Sequence, residues 1–203
     1  MKMRTLLVTL AAVAALIFGS MAPAGAATDN QDLSWWDGEP ADNGAHTTLN
    51  RNNVTASAHV RGLPAGHAVT IWGVVFENPE YCIVANACTG ADVDAAFGEV
   101  GDPAIDLTVA YAGGGVVNAD GNLNTKSGIF GDVPGETVLI GDGTVDNPDT
   151  AEIHFVVRSH GPHQPGSGDT STYLGGCTAE LDPGTVPSAE GECSDLQFTV
   201  HRV

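Results

Sequence analysis

Basic residues are scarce in this chain of 203 amino acids, which has seven lysines and arginines against 25 aspartates and glutamates. Two of the seven, Lys2 and Arg4, lie in the first 26 residues, which contain no acid. The remainder therefore sets five basic residues against 25 acidic ones, a formal charge of −20. A surface of that charge repels phosphate groups, so we expect neither nucleic acid nor anionic membrane as a partner.

The signatures of common enzymes are also missing. The sequence contains no Gly-x-Ser-x-Gly, no His-Glu-x-x-His and no glycine-rich phosphate loop. A triad of Ser159, His160 and Asp169 is not expected, because adjacent residues of a strand point to opposite faces. The sequence does not decide whether the protein is an enzyme, and it favours a protein that is not. A hydrolase or isomerase with a site built from loops is the weaker alternative.

Long apolar runs are limited to one, at the N-terminus. Residues 6–18 are apolar, Lys2 and Arg4 precede them, and Ala24-Gly25-Ala26 supplies the small residues of a cleavage site. This pattern predicts a signal peptide over residues 1–26. The run is shorter than the roughly 20 residues that a membrane span needs. We therefore expect a secreted, extracellular protein with no membrane span after signal removal.

Cysteines are few and all follow the predicted signal, at positions 82, 88, 177 and 193. An even number in an exported chain predicts disulfides. Of the three connectivities, we favour Cys82–Cys88 with Cys177–Cys193, because each pair closes a loop rich in small or turn-forming residues. A zinc site made of all four cysteines is disfavoured, because no Cys-x-x-Cys spacing occurs.

Turn-forming residues are abundant, with 26 glycines and 11 prolines, and they separate short segments of strand-like alternation. Residues 68–76 are almost continuously β-branched or aromatic, which is typical of a buried central strand. The pattern predicts an all-β fold: an antiparallel β-sandwich, or partly open barrel, of about seven to eight strands with long disulfide-stapled loops. Residues 27–46 are predicted to form an acidic N-terminal lead, and residues 47–203 a single domain.

Seven histidines occur after residue 26, and three of them lie within residues 152–163. Strand alternation places His154, His160 and Arg158 on one face. A turn at Gly161-Pro162 would bring His160 and His163 together. Because imidazole is a usual ligand of copper and zinc, the sequence offers a candidate metal site made of His154, His160, His163, His59 and His201.

The alternative to a metal site is a set of surface or hydrogen-bonded histidines. In that case Arg158 pairs with an acid such as Glu152 or a loop aspartate. A second cation site, for calcium at residues 118–124, is disfavoured, because the bidentate glutamate is missing and a turn explains Asp120-Gly121.

Three stretches carry a resemblance to other sequences. They are residues 70–82, with the motif Trp-x-x-Val-Phe-x-Asn-Pro…Cys, residues 151–162, with Glu-Ile-His-x-Val-Val-Arg-Ser-His-Gly-Pro, and the ending at residues 193–201. Together they resemble an uncharacterised group of exported bacterial β-rich proteins over about residues 47–203. The resemblance implies export and a β-rich fold, and it implies no activity.

These observations predict an exported, acidic β-sandwich that acts as a non-enzymatic structural or interaction module outside the cell. Its expected partner is an unidentified component of the extracellular space or the cell envelope. The alternative is a secreted protein that binds copper or zinc through its histidines.

Overall fold

A computed structural model describes residues 28–42, 44–97, 103–128, 138–163 and 193–203. The predicted signal peptide and Cys177 lie outside the described residues. Ten strands occur within them: β1 (Thr28–Asp32), β2 (Ser34–Trp35), β3 (His46–Asn50), β4 (Thr55–Val60), β5 (His67–Phe76), β6 (Leu107–Val116), β7 (Leu123–Gly128), β8 (Val138–Ile140), β9 (Glu152–Pro162) and β10 (Ser194–His201).

The strands form two antiparallel sheets. The four-stranded sheet has the order β1-β3-β4-β7, and the six-stranded sheet has the order β2-β10-β9-β5-β6-β8. The sheets do not close into a barrel. The prediction of an antiparallel β-sandwich is confirmed, and β5 is the buried central strand that its composition indicates, since β9 and β6 flank it.

The first two strands fall within residues 27–46, for which the sequence predicts an acidic lead. All five residues of β1 pair with β3, from Thr28 opposite Asn50 to Asp32 opposite His46. Strand β1 contains no apolar residue, so hydrophobic alternation gives no sign of it. It pairs because it lies at a sheet edge, where backbone hydrogen bonds are available without a buried side chain.

The main core lies between the two sheets. Its members are small or medium apolar side chains that point inward from both sheets, together with one aromatic ring, Phe155, which is 1% exposed. Leu49 and Val60 come from the four-stranded sheet, and Ile71 and Val157 come from the six-stranded sheet. This alternation of inward apolar and outward polar residues is what a sandwich requires of each strand.

A second apolar layer covers the outer face of the six-stranded sheet. Trp72, Val74 and Phe76 of β5 pack there against Ile105 and the Cys82–Cys88 disulfide. These covering residues belong to the connection between β5 and β6. The predicted pairing of Cys82 with Cys88 is confirmed. The pairing of Cys177 with Cys193 stays a prediction, because Cys177 is outside the described residues.

The same connection contains the helix α1 (Gly90–Phe97), preceded and followed by short 3₁₀ turns at Pro79–Tyr81 and Pro103–Ile105. In the part of the chain that the structure describes, no helix has the length and apolar character needed to cross a membrane.

We predict that Gly114→Ala destabilises the sandwich, because β6 passes very close to β5 at this point. A Cβ atom at Gly114 would lie 2.5 Å from the Val69 carbonyl oxygen and 3.2 Å from the Thr70 Cα. Both neighbours are backbone atoms, so a strand must move. We expect the free energy of unfolding to fall by about 2 kcal/mol in urea titrations.

Gly90→Ala is the matched control, because no atom lies within 4 Å of a Cβ built at Gly90. We expect this variant to unfold at the same urea concentration as the wild type. Equal stability of the two alanine variants would contradict the close packing of β5 against β6.

Candidate functional site

The histidines predicted to bind a metal lie on both sheets. His59 is on β4, His154 and His160 are on β9, His201 ends β10, and His163 follows β9. Among the described residues, no group of three or more histidine, cysteine, aspartate or glutamate side chains is placed to hold one ion.

His160 is buried in a hydrogen-bonded cluster. Its Nε2 lies 2.7 Å from the Thr70 hydroxyl oxygen, which also accepts a hydrogen bond from the Trp72 indole at 3.0 Å. Its Nδ1 lies 3.3 Å from the Cys193 sulfur. Burial, together with the nearby positive charge of Arg158, lowers the pKa of His160 to about 4. The ring is therefore neutral at pH 7 and joins β9 to β5.

His201 is also buried, and its ring connects the two sheets. Its Nδ1–H donates to the Asp29 carboxylate at 2.8 Å, and its Nε2 lies 2.7 Å from the Thr47 hydroxyl oxygen. That hydroxyl also lies 2.8 Å from the hydroxyl of Thr199. Burial lowers the pKa of His201, although the bonded Asp29 carboxylate opposes this effect.

The order Asp29–His201–Thr47 is that of a catalytic triad: acid, imidazole, hydroxyl. A nucleophile must reach its substrate, however, and the Thr47 side chain has 0% exposure. The three residues instead join β1 and β3 of one sheet to β10 of the other. Sequence reasoning missed this network because Thr47 and His201 are 154 positions apart.

Arg51 supports the same region from the turn after β3. It is 5% exposed, and its guanidinium donates to the carbonyl oxygens of Ala151 at 2.9 Å and His201 at 3.2 Å. Further hydrogen bonds reach the carbonyl oxygens of Pro148 and Arg202. The group thereby holds together the β3–β4 turn, the segment before β9 and the end of β10.

His154 bonds to a buried acid. Its Nε2–H donates to one oxygen of Glu152 at 2.7 Å, and Arg202 donates to the other at 3.3 Å. Arg158 does not pair with Glu152. Its guanidinium instead donates two hydrogen bonds to the carboxylate oxygens of Asp195, the residue opposite it on β10, at 2.6 and 3.1 Å. Glu152 and Asp195 thus each engage a basic group within the six-stranded sheet or at its end.

His59 pairs with a histidine that the predicted metal set does not include. The rings of His46 and His59 stack with centroids 4.6 Å apart and planes 28° from parallel. The Nδ1–H of His46 donates to the Gly44 carbonyl at 2.9 Å, and that of His59 donates to the Asn124 side-chain oxygen at 2.8 Å. Both rings lie on the polar outer face of the four-stranded sheet.

The same outer face contains a shallow hollow of about 490 Å³. Its lining includes hydroxyl, amide and ammonium groups, from Thr48, Asn50, Thr55, Ser57 and Lys126, although the larger part of its surface is apolar. These groups are hydrogen-bonding partners for a polar ligand, but none of them is buried.

Three of the exposed large apolar side chains of the described chain lie in the segment of residues 81–88, which we call the disulfide loop. Tyr81, Ile83 and Val84 are 54%, 71% and 59% exposed. The Cys82–Cys88 bond closes the loop, and its cysteines are buried at 6% and 2% exposure. The loop therefore has an anchored base and an apolar tip in contact with solvent.

Asp92 of helix α1 fixes the backbone of the disulfide loop from inside. Its buried carboxylate accepts the Ile83 N–H at 2.7 Å, the Thr89 N–H at 2.8 Å and the Thr89 hydroxyl at 3.0 Å. Burial by itself raises the pKa of Asp92, but these hydrogen bonds outweigh burial and hold it below its usual value.

Comparison with known proteins gives no family for the chain, since no family model, curated protein or solved structure matches it. Among the described residues, the disulfide loop presents exposed apolar side chains, and the stacked histidine pair lies half-buried on the outer face of the four-stranded sheet.

We predict that His160 makes the protein acid-sensitive. Its pKa of about 4 in the folded state lies below the ordinary value of 6.5. Between these values the unfolded chain binds a proton that the folded chain does not, so stability falls as the pH falls. We expect this one residue to remove about 3 kcal/mol of stability between pH 7 and pH 4.

The contribution of His160 to the loss of stability in acid is measured by urea unfolding of the wild type and of His160→Gln at pH 7 and pH 4. The variant is less stable at pH 7, because it loses the cluster with Thr70 and Trp72. Its deficit relative to the wild type should shrink by about 3 kcal/mol at pH 4. A deficit that is the same at both pH values would contradict the lowered pKa.

Proposed function

We propose that the chain is exported and acts outside the cell as a non-enzymatic binding module. In this proposal the disulfide loop attaches it to a protein of the extracellular space or the cell envelope. The observation that carries the proposal is the exposure of three large apolar side chains: Ile83 and Val84 within the ring closed by Cys82–Cys88, and Tyr81 directly before it. Single exposed apolar residues are ordinary on a soluble protein, but adjacent ones form a patch that favours association.

The fixed backbone of the loop supports this role. Binding by a flexible loop costs conformational entropy, because the loop must be ordered when the complex forms. Here the disulfide and the Asp92 carboxylate order the loop beforehand. The apolar layer on β5 holds the base of the loop in place. A tyrosine on such a support has the character of a binding hot spot, and the two aliphatic side chains beside it add apolar contact area.

The charge of the chain indicates what kind of surface its binding partner presents. The full sequence carries a formal charge of −18, and the exposed Glu80 directly precedes Tyr81. A protein with an apolar pocket and a basic rim would accept the loop and gain in rate of association from the opposite charge. Nucleic acid has the wrong charge for such a partner.

We predict that Tyr81→Ser/Ile83→Ser/Val84→Ser weakens attachment without unfolding the protein, because all three side chains are exposed. Binding is measured as an isotherm of the labelled protein on the envelope fraction of the cells that produce it. We expect the dissociation constant to rise at least about tenfold, as hot-spot truncation does.

The matched control replaces three exposed apolar residues elsewhere, as Val116→Ser/Leu139→Ser/Val203→Ser. Their exposures of 40%, 47% and 81% are comparable. The control should bind like the wild type. If the two triple variants bind equally well, the disulfide loop is not the attachment surface and the proposal is wrong.

Opening the loop should weaken binding even when its apolar side chains are intact. We predict that Cys82→Ala/Cys88→Ala lowers the free energy of unfolding by about 2 kcal/mol, the expected effect of a bond that closes a short loop. The same variant should bind the envelope fraction more weakly at a temperature where circular dichroism shows it folded. Unchanged affinity would show that the fixed backbone contributes nothing to attachment.

A further inference from the structure

A row of polar side chains crosses the outer face of the four-stranded sheet. Register places Asp32 of β1 opposite His46 of β3, His46 opposite His59 of β4, and His59 opposite Asn124 of β7. The two histidines are therefore direct cross-strand neighbours, with their rings stacked at 4.6 Å. This pairing of imidazoles is independent of the disulfide loop, which rests on the other sheet.

The hydrogen bonds of this row determine which ring nitrogen carries the proton. A carbonyl oxygen only accepts, so the Nδ1 of His46 must donate its proton to Gly44. The Nδ1 of His59 likewise donates to the side-chain oxygen of Asn124. In a neutral imidazole the lone pair then lies on Nε2. Among the described residues, neither Nε2 has a hydrogen-bond partner.

This is the arrangement of metal-ligating histidines, in which one nitrogen donates to an oxygen and the other binds the ion. We propose that His46 and His59 together bind one divalent transition-metal ion through their Nε2 atoms, with water filling the remaining positions. Copper(II) is the preferred ion, because nitrogen ligands bind it more tightly than zinc or nickel.

The separation of the rings suits such an ion. A metal about 2.0 Å from each Nε2 lies about 3.2 Å from each ring centroid. Once the rings have turned toward a shared ion, two centroids 4.6 Å apart subtend about 90° at the metal, the angle between neighbouring ligands in tetragonal copper(II). The planes are only 28° from parallel, so the two lone pairs do not yet converge. To bind one ion, both rings must turn about their Cβ–Cγ bonds, and the hydrogen bonds of their Nδ1 atoms to Gly44 and Asn124 must adjust with them.

The site differs from the set that the sequence predicts. It keeps His59 and adds His46, whereas the rings of His154, His160 and His201 are bonded to Glu152, Thr70 and Asp29. Metal binding at the stacked pair needs no change in the buried networks. We therefore expect bound metal to raise the free energy of unfolding only by the amount that its binding affinity and concentration account for.

The test is a titration of the untagged protein with CuCl₂, followed by the histidine ring signals in NMR. Copper(II) is paramagnetic, so the signals of bound rings disappear first. We expect those of His46 and His59 to vanish below one equivalent. His46→Gln and His59→Gln should each weaken copper binding by more than about tenfold. Loss of a residue that only supports a ligand already costs about that much, and these variants lose the ligand itself.

Asn124 provides a test of ring positioning. Asn124→Ala should weaken copper binding about tenfold, and Asn124→Asp, which keeps an acceptor oxygen, should restore it. His163→Gln, which alters a histidine outside the row, is the matched control and should bind like the wild type. Earlier loss of other histidine signals, or wild-type affinity in the His46→Gln variant, would overturn the proposal.

Discussion

A buried guanidinium is costly unless its N–H groups find acceptors, and both terminal nitrogens of Arg51 donate to backbone carbonyls. Those carbonyls belong to the segment before β9 and to the end of β10, so a turn of one sheet fixes the end of the other. The adjoining hydrogen bonds of His201 to Asp29 and Thr47 cross the same gap. The relative position of the two sheets at this end depends on these polar contacts.

A sandwich held in this way leaves its two outer faces for other purposes. One face keeps the polar row with His46 and His59, which a rigid register holds side by side. The other is covered by an apolar layer that supports the disulfide loop. The two proposed activities therefore lie on opposite sides of the molecule, and a variant in one need not disturb the other. Attachment and metal binding can be measured separately.

The sequence predicts the features that depend on neighbouring residues. The buried run at residues 68–76 identifies β5, and the six-residue separation of Cys82 and Cys88 favours their bond. Strand β1 could not be predicted from hydrophobic alternation, because it has no apolar residue. The partners of the histidines could not be predicted, because a register formed by distant strands decides them. His46 stacks on His59 only because β3 and β4 pair in one alignment.

The hydrogen bond between Asp29 and His201 joins residues 172 positions apart, near opposite ends of the described chain. Strand β10, the last of the described strands in chain order, lies between β2 and β9, and among the described strands β2 pairs with β10 alone in its sheet. All strands from β1 to β10 must therefore be synthesised before the sandwich can close, because contacts of such long range form late. Until then the nascent chain exposes unpaired strands, to which both chaperones and proteases can bind.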